Sequence, residues 1–156
     1  MGGRNSEEVR TAMTQALPNT LTQWNRIAAQ LGRAGRLALL LDFDGTLAAI
    51  RTDPAQAMLS RRTRGLLRQF VRSGTLVGII SGRKLSDVRR RIAAPGAWYA
   101  GSHGLALAGP GVPVRYLLAP DERRRMARLA ARLAAALQPC RGFLVERKDG
   151  CTAIHY

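Results

Sequence analysis

At 156 residues the chain has room for one domain, or for a domain with a small appendage, and its 46% share of hydrophobic residues is ordinary for a globular protein. Its net charge of +15 is carried almost wholly by arginine and admits nucleic-acid binding, attraction of anionic substrates, or compositional bias. No apolar run is long enough to span a bilayer and no charged-then-apolar leader opens the chain, which excludes a membrane role and favours a cytoplasmic one.

The basic residues do not interleave with aromatics as single-strand binding would favour, and Arg and Ala share the same helical stretches. Compositional bias is therefore the preferred account, and a nucleic-acid partner is not expected. Cys140 and Cys151 are the only cysteines and read as free thiols of a reducing compartment, with no Cys/His cluster to suggest zinc. Met1 to Ser6 formally fits a myristoylation pattern, one short enough to arise by chance.

In chain order, residues 1 to about 18 are polar. Leu21, Trp24, Ile27, Ala28 and Leu31 follow helical spacing, so the pattern predicts an amphipathic helix ended by Gly32 and Gly35. Leu37 to Leu41 is an unbroken apolar run, as in a strand buried on both faces of a parallel sheet. Asp53-Pro54 lies in a loop. Ser60 can cap a helix running to Ser73, with Leu66, Leu67, Phe70 and Val71 toward the sheet and Gly74 as its C-terminal glycine.

Thr75 to Ile80 reads as a second buried strand. A helix to about Ala93 follows, with Leu85, Val88 and Ile92 as its apolar face. Trp98-Tyr99-Ala100 is a short third strand. Strand, helix, strand, helix, strand is the alternation of a parallel α/β sheet, and right-handed crossovers predict a doubly wound order. After His103, Leu105 to Leu107 and Val114 to Leu117 flank a Pro110-Gly111 turn, and Asp121 can cap a helix to about Leu137 with Met126, Leu129, Leu133 and Leu137 as its stripe. Asp149-Gly150 between two extended runs is a hairpin signal. This last section reads as a small α+β layer.

The chemistry gathers at strand ends. Asp42 and Asp44 follow the first apolar run, and residues i and i+2 of an extended chain point the same way. Two carboxylates so close repel unless a cation or a proton sits between them. Gly45 and Thr46 follow, offering a turn, a hydroxyl and an amide. Ser81 ends the second strand, where its hydroxyl, the Gly82 amide and a helix N-terminus can hold a phosphoryl oxygen. Arg83 can neutralise a phosphate or bind a neighbouring carboxylate. His103, between glycines at the third strand end, is a further site candidate. Glu146 and Lys148, two apart in a strand, share one face.

The run Leu41-Asp42-Phe43-Asp44-Gly45-Thr46-Leu47 resembles the nucleophile motif of the haloacid dehalogenase-like (HAD) phosphatases. Together with Asp53-Pro54, Ile79-Ile80-Ser81-Gly82-Arg83, Gly101-Ser102-His103-Gly104, Glu146-Arg147-Lys148 and His155-Tyr156, it is similar to the trehalose-6-phosphate phosphatases of that superfamily. The resemblance implies a Rossmann-like HAD core, an incomplete parallel sheet, with part of an α+β cap. The implied divisions are an N-terminal helical extension over 1–36, core over 37–108 and cap over 109–156.

It further implies that Asp42 is the nucleophile, that Asp44 is the general acid and base, and that Mg²⁺ is held by the Asp42 carboxylate and the Asp44 backbone carbonyl. Thr46, Ser81, Gly82, Arg83 and His103 would then bind phosphate or substrate, and Glu146 and Lys148 the sugar. The partner would be a small sugar phosphate. The family's third motif, a Lys, and its fourth, an acidic segment, have no counterpart before Tyr156, so the resemblance implies a chain ending inside the cap, doubtful in activity and with an apolar sheet face left open. The alternative is a non-catalytic HAD-like fragment that binds a sugar phosphate or a protein partner.

Overall fold

The computed structural model describes residues 19–156. The polar stretch before them, with the Met1 to Ser6 pattern, lies outside the described residues. The chain divides into two compact units, 1–37 and 38–156. In the first, the predicted helix forms as α1 (Trp24–Arg33), and none of its residues is buried.

The second unit begins with β1 (Ala38–Asp42), followed by α2 (Arg61–Arg72), β2 (Leu76–Ile80), α3 (Leu85–Ile92) and β3 (Trp98–Gly101). Ser60 caps α2 as expected, its Oγ accepting the Thr63 N–H at 3.0 Å, and Gly74 follows the helix at φ +82°. The expected face of α3 is fully formed: Leu85, Val88 and Ile92 are all buried. α2 covers the sheet less completely. Leu67 is buried and Val71 packs on the core, but Leu66 and Phe70 stay exposed.

β1 pairs parallel with β2, and β2 with β3. The three strands stand in chain order, β1-β2-β3, the order of one half of a doubly wound sheet. Successive right-handed crossovers in one direction put both helices on the same face. The core accordingly lies on that face, where Val77, Ile79 and Tyr99 meet Leu67, Leu85, Val88 and Ile92. The opposite face carries Leu40, Leu76, Ile80 and Trp98, all exposed, Leu40 by 62%. The first apolar run is thus covered on one face, not on both.

β4 (Ala106–Gly109) and β5 (Val112–Tyr116) form the expected antiparallel pair, but they extend the same sheet from β3. The register of β4 on β5 shifts between Leu107 and Gly109. α4 (Pro120–Leu137) starts two residues earlier than a cap at Asp121 predicts: Ala119 stands at the cap, Pro120 opens the helix and Glu122 Oε2 accepts the Ala119 N–H at 2.7 Å. Its stripe is only half-covered, with Ala130 buried and Leu129 exposed. β6 (Leu144–Arg147) and β7 (Thr152–His155) form the hairpin predicted around Asp149-Gly150. Both cysteines are free, and among the described residues no helix is long and apolar enough to cross a membrane.

Several arginines are occupied by the fold itself. Arg64 donates to the carbonyls of Ile92 and Arg91, and Arg68 to that of Ala93. These are the last carbonyls of α3, where the helix dipole favours cations.

Candidate active site

The carboxyl end of β1 sets the site. Phe43 is fully buried, so its neighbours Asp42 and Asp44 turn the other way, as alternation requires. Both line a cavity of about 630 Å³ together with Ser81, Gly82 and His103. Among the described residues Asp42 makes no ion pair, whereas Asp44 is held by Arg83.

Two further loops close this end of the sheet. Ser81, buried, continues β2 by donating its N–H to the Ala100 carbonyl at 2.9 Å. Its Oγ accepts the Arg83 N–H at 3.1 Å, leaving the hydroxyl proton to be donated elsewhere. The loop after β3 is laced to this one, with Ser102 N–H on the Arg83 carbonyl at 2.7 Å and His103 N–H on the Ser81 carbonyl at 3.0 Å. Two glycines make the approach possible. A Cβ on Gly82 would stand 2.6 Å from the His103 ring, and one on Gly101 would stand 2.5 Å from the Leu85 backbone. The missing Cβ of Gly101 thus admits the first residue of α3.

Arg83 takes the carboxylate role of the two left open for it. Its Nε and Nη2 grip both oxygens of Asp44 at 2.8 and 2.7 Å, Nη2 also donates to the Pro54 carbonyl at 2.8 Å, and Nη1 reaches Asp87 at 3.3 Å. A guanidinium so engaged keeps one N–H that can still be donated to a phosphate. The Asp44 hydrogen bond holds the Arg83 pKa above its usual value, against the opposing effect of burial.

Asp87 also receives Arg91 at 2.8 Å, and Arg91 in turn holds the Ala55 and Ala57 carbonyls. Burial alone would raise the Asp87 pKa, but Arg91 and then Arg83 outweigh it and lower it. A carboxylate depressed on folding stabilises the fold above its ordinary pKa of 3.8 and loses that contribution as pH falls through the folded value. Asp87→Ala should therefore lower stability by about 1–2 kcal/mol at pH 7, a figure reduced for solvent screening. Denaturant melts should show that deficit shrinking as the pH is taken below 4.

Across from the strand ends stands the β6–β7 hairpin. Glu146 and Lys148 share a face as expected, with Lys148 Nζ 3.4 Å from Glu146 Oε2. With Asp44, Gly82 and His103 they line a second cavity, of about 280 Å³. His155 joins them, its Nε2 3.0 Å from the same Glu146 oxygen. In the sequence His155 carries part of the family resemblance but no assigned role. The hairpin register could have found it, since pairing across Asp149-Gly150 puts His155 opposite Leu144, diagonal to Glu146 on one face. Thr46 is exposed on the loop after β1 and lines neither cavity.

A family model described as trehalose-phosphatase matches residues 40–156. A trehalose-phosphate phosphatase of Mycobacterium avium is 41% identical over 128 residues, which is 80% of this chain and 32% of that protein. A Mycobacterium tuberculosis protein described as an uncharacterized glycosyl hydrolase is 38% identical over 147 residues, 93% of this chain and 11% of its own length. The chain therefore spans a third or less of these relatives. Among solved structures, the C-terminal domain of trehalose-6-phosphate phosphatase from Candida albicans superposes with a TM-score of 0.71 at 22% identity, covering 89% of this chain and 47% of that one. The likeness shows the fold, the HAD-type α/β core implied by the motifs. The match of the family model over most of the chain means that this chain belongs to the trehalose-phosphatase family.

Proposed function

We propose that this chain carries the phosphoryl-accepting and sugar-reading parts of a cytoplasmic, Mg²⁺-dependent trehalose-6-phosphate phosphatase, whose products are trehalose and inorganic phosphate. One observation carries the reading. Asp44, with Gly82 and His103, lines both cavities, while Asp42 and Ser81 line only the first and Glu146 and Lys148 only the second. In a sugar phosphate the bridging oxygen lies between phosphoryl group and sugar. A proton donor for that oxygen belongs at the junction of the two, which is the position of Asp44.

The Asp42 carboxylate attacks phosphorus, and the bond from phosphorus to the sugar oxygen breaks as that oxygen takes a proton from Asp44. Asp44 then takes a proton from the water that attacks the aspartyl-phosphate at phosphorus, which frees phosphate and Asp42. The Ser81 hydroxyl and Gly82 amide hold phosphoryl oxygens. The site offers hard oxygen donors and two carboxylates, and Mg²⁺ is habitually bound by one or two carboxylates plus substrate phosphate. The Asp42 carboxylate and Asp44 carbonyl would hold it, and the ion, when bound, offsets repulsion between carboxylate and phosphate.

The grip of Arg83 on Asp44 favours a second reading, a sugar-phosphate binder without turnover, and phosphate release by the whole protein separates the two. Sugar recognition has its own test. In the whole protein, Glu146→Ala and Lys148→Ala should each cut kcat/KM for trehalose 6-phosphate about tenfold or more, since a charge-assisted hydrogen bond is worth ~1.5–3 kcal/mol. Activity on a small aryl phosphate should hold within about twofold. Equal losses on both substrates would mean that the pair supports the hairpin rather than reads the sugar.

A further inference from the structure

Helix α3, which follows the Ser81-Gly82-Arg83 loop, has no N-cap of its own: Lys84 stands at the cap position and makes no side-chain hydrogen bond. The first N–H of the helix, that of Leu85, is instead donated to Asp149 Oδ2 at 3.0 Å, from 64 residues away. Asp149 belongs to the tip of the β6–β7 hairpin, one residue beyond Lys148. Its own N–H is donated to Ser102 Oγ at 3.1 Å. Ser102 is fully buried at φ +51°, and its N–H is held by the Arg83 carbonyl. One residue of the hairpin thus grips both loops at the phosphoryl end of the sheet. The Leu85 amide is within reach only because Gly101 lacks a Cβ there.

We propose that Asp149 is a positioning residue for substrate specificity, a latch that ties the sugar-reading hairpin to the N-terminus of α3 and so fixes where Lys148 and Glu146 stand relative to Asp44. The proposal deepens the trehalose-6-phosphate reading and rests on it for the identity of the sugar. A carboxylate at a helix N-terminus is favourable on both hydrogen-bond and dipole grounds. Capping alone, however, is ordinarily done from the adjoining residue. Supplied from the hairpin, the same bond makes the start of α3 and the hairpin tip mutually dependent.

The experiment separates capping from positioning. Asp149→Ala removes both, and adding Lys84→Ser returns a local cap to α3 while leaving the hairpin untied. In the whole protein, Asp149→Ala should speed amide exchange over residues 144–155 about tenfold or more and lower kcat/KM for trehalose 6-phosphate about fivefold, with aryl phosphate turnover within twofold. Lys84→Ser in that background should recover the melting temperature but neither the exchange protection nor the sugar-phosphate kcat/KM. Asp149→Asn, which keeps an acceptor, should recover part of both. If the local cap restores all three, or if exchange over 144–155 does not change in Asp149→Ala, the latch is wrong and Asp149 is a cap and nothing more. A parent protein that hydrolyses no sugar phosphate overturns the functional reading alone, because the exchange measurement decides the latch without turnover.

Discussion

Asp42→Asn should abolish phosphate release by the whole protein, lowering kcat by about 10⁴-fold or more on sugar and aryl phosphates alike. An amide has no anionic oxygen to attack phosphorus, and no other carboxylate is free beside it, since Arg83 occupies both oxygens of Asp44. The fold should not suffer. Asp42 ends β1 with an exposed side chain and no ion pair among the described residues, so the variant should melt within about 0.5 kcal/mol of the parent. Retained Mg²⁺-dependent release of phosphate by Asp42→Asn would sink the assignment of the nucleophile.

Asp44→Asn should behave differently, and the difference tests its place between the two cavities. A sugar alkoxide leaves poorly without a proton, so turnover of trehalose 6-phosphate should fall by about 10²–10⁴-fold, the usual worth of general acid–base catalysis. A nitrophenolate needs no proton to leave. With nitrophenyl phosphate the first step should therefore survive, while attack of water on the aspartyl-phosphate, which needs Asp44 as base, is slowed. The expected result in a stopped-flow trace is a burst of nitrophenol close to one per enzyme, followed by a slow steady state. Equal loss of both phases would mean that Asp44 serves only to hold Arg83 in place.

The two carboxylates were legible because everything that makes them a pair is local. The apolar run predicts the strand, alternation around Phe43 puts Asp42 and Asp44 on one side, and no distant residue has to be known. The same holds for the Ser60 cap, for the Leu85, Val88 and Ile92 face of α3, and for the Asp149-Gly150 hairpin, each decided within about four residues. Local pattern failed where the partner lay across the fold. Leu66 and Phe70 have helical spacing toward a sheet, yet they remain exposed, because spacing gives the direction of a face and not the extent of what covers it.

The sequence by itself determined where the candidate groups lie: a paired carboxylate at a strand end, Ser81-Gly82 at the next, and Glu146 with Lys148 on one face of a hairpin. Only the tertiary structure decided what each of them meets. Arg83 had two suitable partners in charge terms, and it is the parallel register of β1 with β2 that brings it to Asp44, 39 residues away. Asp149 looks like a turn residue and nothing else until the hairpin is laid against Leu85. The continuation of the sheet from β3 into β4 and β5 was equally hidden, since an antiparallel pair read from local pattern does not say which sheet it joins. The physical reason is common to all three. Strand register and crossover direction are set by the packing of whole elements, and hydrogen bonds made across them are the consequence of that packing.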